Sequence, residues 1–134
     1  MKSLEVAAGI LVRDGKILCA QRGKGKFDYI SYKYEFPGGK LEALESPMEA
    51  LRRELIEEMD VVIDERNIEL FCVVLHQYPD FFVKMHCFIC RDFSGNVVLK
   101  EHNDIKWLEP EQLGQLDWAQ ADLPIVEKLI QKGI

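Results

Sequence analysis

The sequence is short of positive charge, and this shortage narrows the possible partners. Its 134 residues include 17 Lys and Arg against 23 Asp and Glu, which gives a formal net charge of −6. A chain of this charge is not expected to bind nucleic acid or an anionic membrane as its main partner. A small anionic substrate would have to arrive with a cation of its own. The apolar run at residues 4–12 lacks the length and cleavage pattern of a signal peptide, so we expect a cytoplasmic protein.

Histidine is also scarce, and the four cysteines give no clear sign of a zinc site. Cys87 and Cys90 have the spacing of a zinc-binding pair, and His86 precedes them. They lie, however, in the apolar run MHCFIC, which is typical of a strand. Residues three apart in a strand point to opposite faces of the sheet and cannot share a metal. We therefore expect buried, reduced thiols.

No linker or internal repeat divides the chain, and 48% of its residues are hydrophobic. We expect residues 1–134 to form one domain with a core of its own. Apolar runs bounded by Asp-Gly, Pro-Asp and Ser-Gly-Asn turns predict a sheet that is mixed or antiparallel. In the last helix, Ile125, Leu129 and Ile130 are expected to face inward. The expected strands are 4–12, 16–22, 68–77, 81–93 and a stretch ending at 107–108, and the expected helices are 47–59 and 122–132.

The most informative stretch covers residues 39–61. Ser46, Pro47 and Glu49 are typical of a helix start, because they supply a capping hydroxyl, a proline at the first helical position and a carboxylate three residues past the cap. The helix is expected to end near Met59. Two consecutive glycines before it would let backbone groups approach a ligand closely.

Glu54, Glu57 and Glu58 share one arc of this helix at about 100° per residue. Like charges at these spacings repel by about 0.2–0.5 kcal/mol per pair, so the cluster gains stability only from a bound cation. Oxygen ligands without His or Cys select magnesium or manganese over zinc. Arg53, four residues from both Glu57 and Glu49, can hold a carboxylate in one orientation. Without a cation, the pattern describes a solvated face with ion pairs.

The whole stretch resembles the signature of the Nudix hydrolases. That signature reads Gly, five residues, Glu, seven residues, then Arg-Glu-apolar-any-Glu-Glu-any-Gly-apolar. The departure is Asp60, where the family has Gly. Asp tolerates the left-handed conformation that ends this helix, at a cost of about 1 kcal/mol. The matching residues are Gly39, Glu45, Arg53, Glu54, Leu55, Glu57, Glu58 and Val61.

The resemblance implies an α+β fold, an α/β/α sandwich with a mixed β-sheet, the signature helix and a C-terminal helix. It also implies a bound Mg²⁺ or Mn²⁺, with Glu54 as general base, Arg53 orienting the cluster and Glu57 assisting. Glu101, which alone would be a surface acid, stands where MutT-type members of the family place a further metal ligand. The implied metal ligands are the Gly38 carbonyl, Glu54, Glu57, Glu58 and Glu101.

Substrate contacts are implied outside the signature. Arg22 would contact phosphate, although alone it could be an edge cation. Asp122 would bind the base, although alone it could be a surface acid or a helix cap. An ionised carboxylate only accepts hydrogen bonds, which favours the amine of cytosine over guanine with its carbonyl. Residues 23–34 form either a mobile flap over the substrate or a surface insertion. The expected substrate-binding residues are Arg22, Phe36, Gly38, Tyr78 and Asp122.

The resemblance is closest to the MutT and CTP pyrophosphohydrolase group of the family. It implies a magnesium-dependent nucleoside triphosphate pyrophosphohydrolase that acts on CTP, dCTP or oxidised nucleotides such as 8-oxo-dGTP, with a role in nucleotide pool sanitation and DNA repair. Hydrolysis of another diphosphate, such as ADP-ribose or a sugar nucleotide, is an alternative, as is a non-catalytic nucleotide-binding module. The expected partner is a small nucleotide, without nucleic acid or membrane, and the expected state is a monomer or homodimer.

Overall fold

A long central strand, β1 (Lys2–Arg13), organises the sheet of this computed structural model, which describes residues 2–134. It continues into β2 (Lys16–Gln21) through Asp14 and Gly15, whose φ values of 53° and 75° fit a two-residue hairpin turn. On its other side β1 pairs in parallel with a strand near residue 85, and it also pairs antiparallel with a short strand around Gly39. The sheet is therefore mixed, as the sequence predicted.

The other predicted strands and helices occur in the predicted order, and the part of the chain that the structure describes also contains four short strands that the sequence did not predict. Two α-helices flank the sheet, and short 3₁₀ helices cover Glu65–Asn67, Pro110–Gln115 and Gln120–Asp122. Neither α-helix of residues 2–134 is long and apolar enough to cross a membrane. The other strands and the helices are β3 (Tyr34–Glu35), β4 (Gly38–Lys40), α1 (Pro47–Met59), β5 (Val62–Ile63), β6 (Ile68–Gln77), β7 (Phe81–Cys90), β8 (Phe93–Ser94), β9 (Asp104–Leu108) and α2 (Leu123–Lys132).

Successive side chains of β1 and β2 point to opposite faces of the sheet and create two cores. Ile10 and Ile17 pack on the face covered by α2. Leu11 and Leu18 pack on the face covered by α1. The two helices therefore lie on opposite sides of the sheet, which confirms the predicted α/β/α sandwich.

The two cysteines of the CxxC sequence are separated by the same alternation. Cys87 lies in the core beneath α2, whereas Cys90 lies in the core beneath α1. Both are fully buried, and every cysteine in residues 2–134 is a free thiol. The expectation of buried, reduced thiols at this pair is confirmed.

Both ends of α1 have the expected caps. The Ser46 hydroxyl accepts a hydrogen bond from the Glu49 N–H at 3.2 Å, and the Glu49 carboxylate accepts one from the Ser46 N–H at 3.0 Å. Glu49 is thus held by the cap, and the carboxylates that Arg53 binds are those of Glu45, Glu54 and Glu57. Asp60 ends the helix in the left-handed conformation, at φ 57° and ψ 34°.

Two expectations were wrong. The strand expected at 81–93 ends at Cys90, because the chain then leaves the sheet. The Arg91 N–H donates to the Asn67 carbonyl, and Phe93–Ser94 form a separate strand that pairs with β5. In α2, Ile130 is 45% exposed and Val126 is buried instead. Ile130 lies five residues beyond Ile125, about 140° around the helix, and so falls outside the apolar stripe.

Candidate active site

A cavity of about 1040 Å³ brings most of the predicted site residues together. It is bounded by β4, by one face of α1, by the start of the loop after β2 and by the residues that precede α2. Arg53 and Glu57 are predicted site residues that do not line it. Those that do are Arg22, Phe36, Gly38, Glu54, Glu58, Tyr78, Glu101 and Asp122.

The two glycines of β4 are required by the close approach of neighbouring groups. A Cβ atom on Gly39 would overlap the carboxylate of Glu54, and one on Gly38 would overlap the backbone carbonyl of Ala7. A side chain at Gly39 would therefore displace the Glu54 carboxylate, and one at Gly38 would displace the central strand. This close packing places backbone groups of β4 directly beside a glutamate of the signature.

Arg53 fixes the orientation of that glutamate from outside the cavity. Its guanidinium donates to both oxygens of Glu45, at 2.8 and 2.9 Å, and to Glu54 at 2.9 Å. It also donates to the Lys40 carbonyl at 2.9 Å. The bonds from Arg53 hold the pKa of Glu45 down at about 2. The Glu–Arg pair of the signature thus joins the loop before α1, the helix and β4 into one rigid unit.

The three glutamates on the arc of α1 have different environments. Glu58 is only 8% exposed. Burial, the neighbouring Glu54 carboxyl and the nearby charges of Glu35 and Glu101 raise the pKa of Glu58 to about 9. Glu57 instead has a side chain that is 58% exposed and accepts a hydrogen bond from Arg53 at 3.3 Å. The structure brings Glu54 and Glu58 together and leaves Glu57 at the surface.

This acidic end of the cavity fits a hard divalent cation. The Oε2 atom of Glu58 is buried without a hydrogen-bond partner, and the surrounding groups are carboxylates. A cation would satisfy that oxygen and offset the repulsion among the acids, and oxygen donors suit magnesium or manganese. Within residues 2–134, however, no three His, Cys, Asp or Glu side chains are already arranged to hold a metal ion.

Glu101 is placed by contacts that begin at the end of α1. The Val98 N–H donates to the Met59 carbonyl at 3.0 Å, and the Lys100 ammonium donates to the Asp60 carboxylate. Asp60, the departure from the family signature, thus anchors the residue that immediately precedes Glu101. The loop carrying Glu101 is in this way attached to the helix that carries Glu54 and Glu58.

Asp122 lies in another part of the cavity wall and is almost completely buried, at 5% exposure. Its Oδ1 atom accepts a hydrogen bond from the Phe36 N–H at 3.1 Å. Burial raises the pKa of Asp122 well above its usual range, and the negative charge of Glu35 adds to this effect. The side chain makes no capping bond to α2. Asp122 is therefore neither a surface acid nor a side-chain cap.

The sequence did not identify Glu35 as a site residue, although its carboxylate contacts both Arg22 and His102 inside the cavity. Its carboxylate accepts a hydrogen bond from the Arg22 Nη1 at 3.1 Å and lies 3.0 Å from the Nε2 of His102. His102 lies 67 residues from Glu35 in the sequence, so no local pattern connects the two. The available signal was an acidic residue between two aromatic ones, Tyr34 and Phe36, in a segment that is otherwise apolar.

The loop at residues 23–34 is held against the cavity by aromatic rings. Phe27 stacks on Phe81 with ring centroids 5.8 Å apart, and Tyr29 stacks on Tyr78 at 5.4 Å. The Tyr29 hydroxyl also donates to Asp80 at 2.8 Å. Residues 23–27 line the cavity, so the loop is a wall of the site and not an unattached surface insertion.

A mixed sheet between two helices, with the glycine pair and Glu54 lining one end of its cavity and Arg53 bound to Glu54 from outside, defines the Nudix class of fold and site. A family model described as the NUDIX domain matches residues 3–129, and the chain belongs to that family.

Particular relatives cover nearly the whole chain. A CTP pyrophosphohydrolase of Escherichia coli is 39% identical over 129 residues, which are 95% of this chain and 91% of that protein. An 8-oxo-dGTP diphosphatase of Haemophilus influenzae is 31% identical over 132 residues, covering 98% and 94%. The solution structure of the E. coli ORF135 protein superposes with a TM-score of 0.83 at 35% identity, covering 98% of this chain and 91% of that one.

Proposed function

We propose that this chain is a magnesium-dependent nucleoside triphosphate pyrophosphohydrolase that releases a nucleoside monophosphate and pyrophosphate. The observation that carries the proposal is a single cavity with two different parts. One part holds the paired carboxylates of Glu54 and Glu58 beside Gly38, and the other holds the buried carboxyl of Asp122. The activities named for its relatives, on CTP and on 8-oxo-dGTP, support the same reaction.

The cation would be held by Glu54, Glu58, Glu101 and the Gly38 carbonyl, with Glu57 joining from the surface of α1. Mg²⁺ or Mn²⁺ bound there supplies charge neutralisation for the triphosphate and for the phosphoryl oxygens as the bond breaks. The unpartnered oxygen of Glu58 supports this assignment.

The chain's own residues supply the proton transfer and the positioning. Glu54 takes the proton of the attacking water, because its carboxylate lines the cavity and is oriented by Arg53 at 2.9 Å. Arg22 contacts a phosphate group, and Glu35 holds its guanidinium toward the cavity. Residues 23–34 cover the substrate from the side of β6 and β7, and Phe36 and Tyr78 supply apolar surface next to Asp122.

Asp122 reads the base as a neutral carboxyl group, which revises the expectation of an ionised one. A neutral carboxyl offers one donor and one acceptor. That pair matches the ring nitrogen and amine of cytosine, and equally the N–H and carbonyl of guanine. The preference for CTP, dCTP and their modified forms therefore rests on the 39% identity with a CTP pyrophosphohydrolase, and 8-oxo-dGTP is the alternative substrate.

We also propose that the protein works in the cytoplasm as a monomer or homodimer, without nucleic acid or membrane, and removes damaged nucleotides before they enter DNA. The net charge of −6 supports the absence of polyanionic partners.

The test is a product analysis. CTP, dCTP, 8-oxo-dGTP and ADP-ribose are each incubated with the protein and magnesium, and the products are separated by ion exchange. We expect pyrophosphate and a monophosphate from at least one triphosphate, and no product after chelation of the metal. Two monophosphorylated fragments from ADP-ribose, with the triphosphates intact, would identify the alternative hydrolase. No turnover of any compound would leave a nucleotide-binding module.

A further inference from the structure

Cys72 and Cys87 face each other across the antiparallel pair formed by β6 and β7. They are register partners, next to a β-bulge between Leu70 and Cys72, so their thiols lie on the same face of the sheet. Directly opposite residues in such a pair have Cα atoms about 4.5–5.5 Å apart. Disulfides span Cα separations of about 4.4–6.8 Å, so these strands can be joined without leaving their register.

The two thiols differ in exposure and in pKa, and both differences favour an initial reaction of peroxide with Cys72. Cys72 is partly exposed, whereas Cys87 is fully buried. The neighbouring Cys87 thiol and the Lys128 ammonium lower the pKa of Cys72 to about 7, whereas burial raises the pKa of Cys87. Lys128 is held in place by the Phe71 carbonyl at 2.6 Å. Cys72 is thus an accessible nucleophile with a second thiol beside it.

The remaining cysteines lack these features. Cys19 and Cys90 are completely buried, and burial raises the pKa of each to about 12. A thiol in this state reacts slowly with peroxide, because the thiolate is the nucleophile. Oxidation should therefore be confined to the pair on β6 and β7.

We propose that Cys72 and Cys87 form a reversible intramolecular disulfide when the protein meets a hydroperoxide. The Cys72 thiolate attacks the terminal peroxide oxygen and the O–O bond breaks, which gives a sulfenic acid and releases hydroxide from hydrogen peroxide or an alkoxide from an organic hydroperoxide. The Cys87 sulfur then attacks the sulfenic sulfur, the S–S bond forms, and the oxygen leaves as water with the Cys87 proton. A dithiol reductant reverses the change by thiol–disulfide exchange.

The experiment treats the full chain with hydrogen peroxide and then measures intact mass and thiols titrated after denaturation. We expect loss of two of the four thiols, a mass decrease of about 2 Da for the two hydrogens removed, and recovery with dithiothreitol. Digestion without reductant should give one linked peptide pair containing Cys72 and Cys87.

Variants provide the controls. Cys72→Ser should abolish the mass decrease, whereas Cys90→Ser, on the same strand as Cys87, should retain it. A link between other cysteines, a disulfide-linked dimer, or oxygen added at Cys72 while Cys87 stays free would overturn the proposal. The peptide map needs no variant, so poor folding of a variant does not affect the outcome.

Discussion

Replacing Asp122 tests how the base is read, because two substitutions remove different parts of its chemistry. Asp122→Asn keeps the size of the side chain, an acceptor for the Phe36 N–H and a donor for the base. Asp122→Ala removes the bond to Phe36 and the donor and acceptor that pair with the base. Each buried hydrogen bond to the base contributes about 1–3 kcal/mol, so Asp122→Ala should lower kcat/KM on the preferred nucleotide by at least about 5- to 150-fold. The Asn variant should stay within about 5-fold of wild type.

The assay measures kcat/KM at neutral pH for CTP, dCTP, 8-oxo-dGTP and a poor triphosphate substrate. Thermal unfolding of each variant shows whether the fold survives, since the Ala variant leaves the Phe36 N–H without its partner. The loss should be largest for the preferred base and small for the poorest substrate.

Two outcomes would refute this reasoning. Equal losses for every base would show that Asp122 supports the wall of the cavity and does not read the substrate. An Asn variant as impaired as the Ala variant would show that the base needs an ionised acceptor, and hence that the neutral carboxyl is the wrong species.

Three further outcomes follow from the site. Glu54→Gln should lower kcat by about 10²-fold or more with the fold intact. The control Glu127→Gln, at an exposed position of α2, should leave the rate unchanged. A near-wild-type rate in Glu54→Gln would mean that another residue is the general base. Gly39→Ala should abolish turnover, because its Cβ would overlap the Glu54 carboxylate, whereas Gly114→Ala meets open space and should not. The raised pKa of Asp122 means that the folded state binds its proton more tightly than the unfolded state, so the free energy of unfolding falls as pH rises above about 3.8 toward that pKa. Chemical denaturation of Asp122→Asn at a series of pH values should show a weaker fall. An identical dependence on pH in the two proteins would contradict the raised pKa.

Local signals in the sequence predicted the elements that local physics determines. The capping box at Ser46 and Glu49 located the start of α1, and the turn at Asp14 and Gly15 located the first hairpin. The alternation of β7 separated Cys87 from Cys90. Each of these depends on residues a few positions apart.

The parts that could not be predicted depend on tertiary packing. Glu35 and His102 meet only because their segments fold to the same cavity, and nothing near either residue indicates the other. The raised pKa of Asp122 follows from its burial, which depends on contacts with distant segments such as Phe36. Glu57 shares an arc with Glu54, but its side chain is 58% exposed whereas that of Glu54 is 16% exposed, and this difference depends on which distant segments pack against α1.

The parallel pairing of β1 with β7 also sets an order for folding. Lys2 lies opposite Phe81 and Leu11 opposite Cys90, so the centre of the sheet joins segments that are far apart in the chain. Closing so long a loop costs entropy before the contacts repay it, and distant pairings form late. The β1–β2 hairpin should therefore gain hydrogen-exchange protection early in refolding, and β7 should add afterwards. During synthesis, the edge of β1 that pairs with β7 would remain unpaired until residue 90 has left the ribosome.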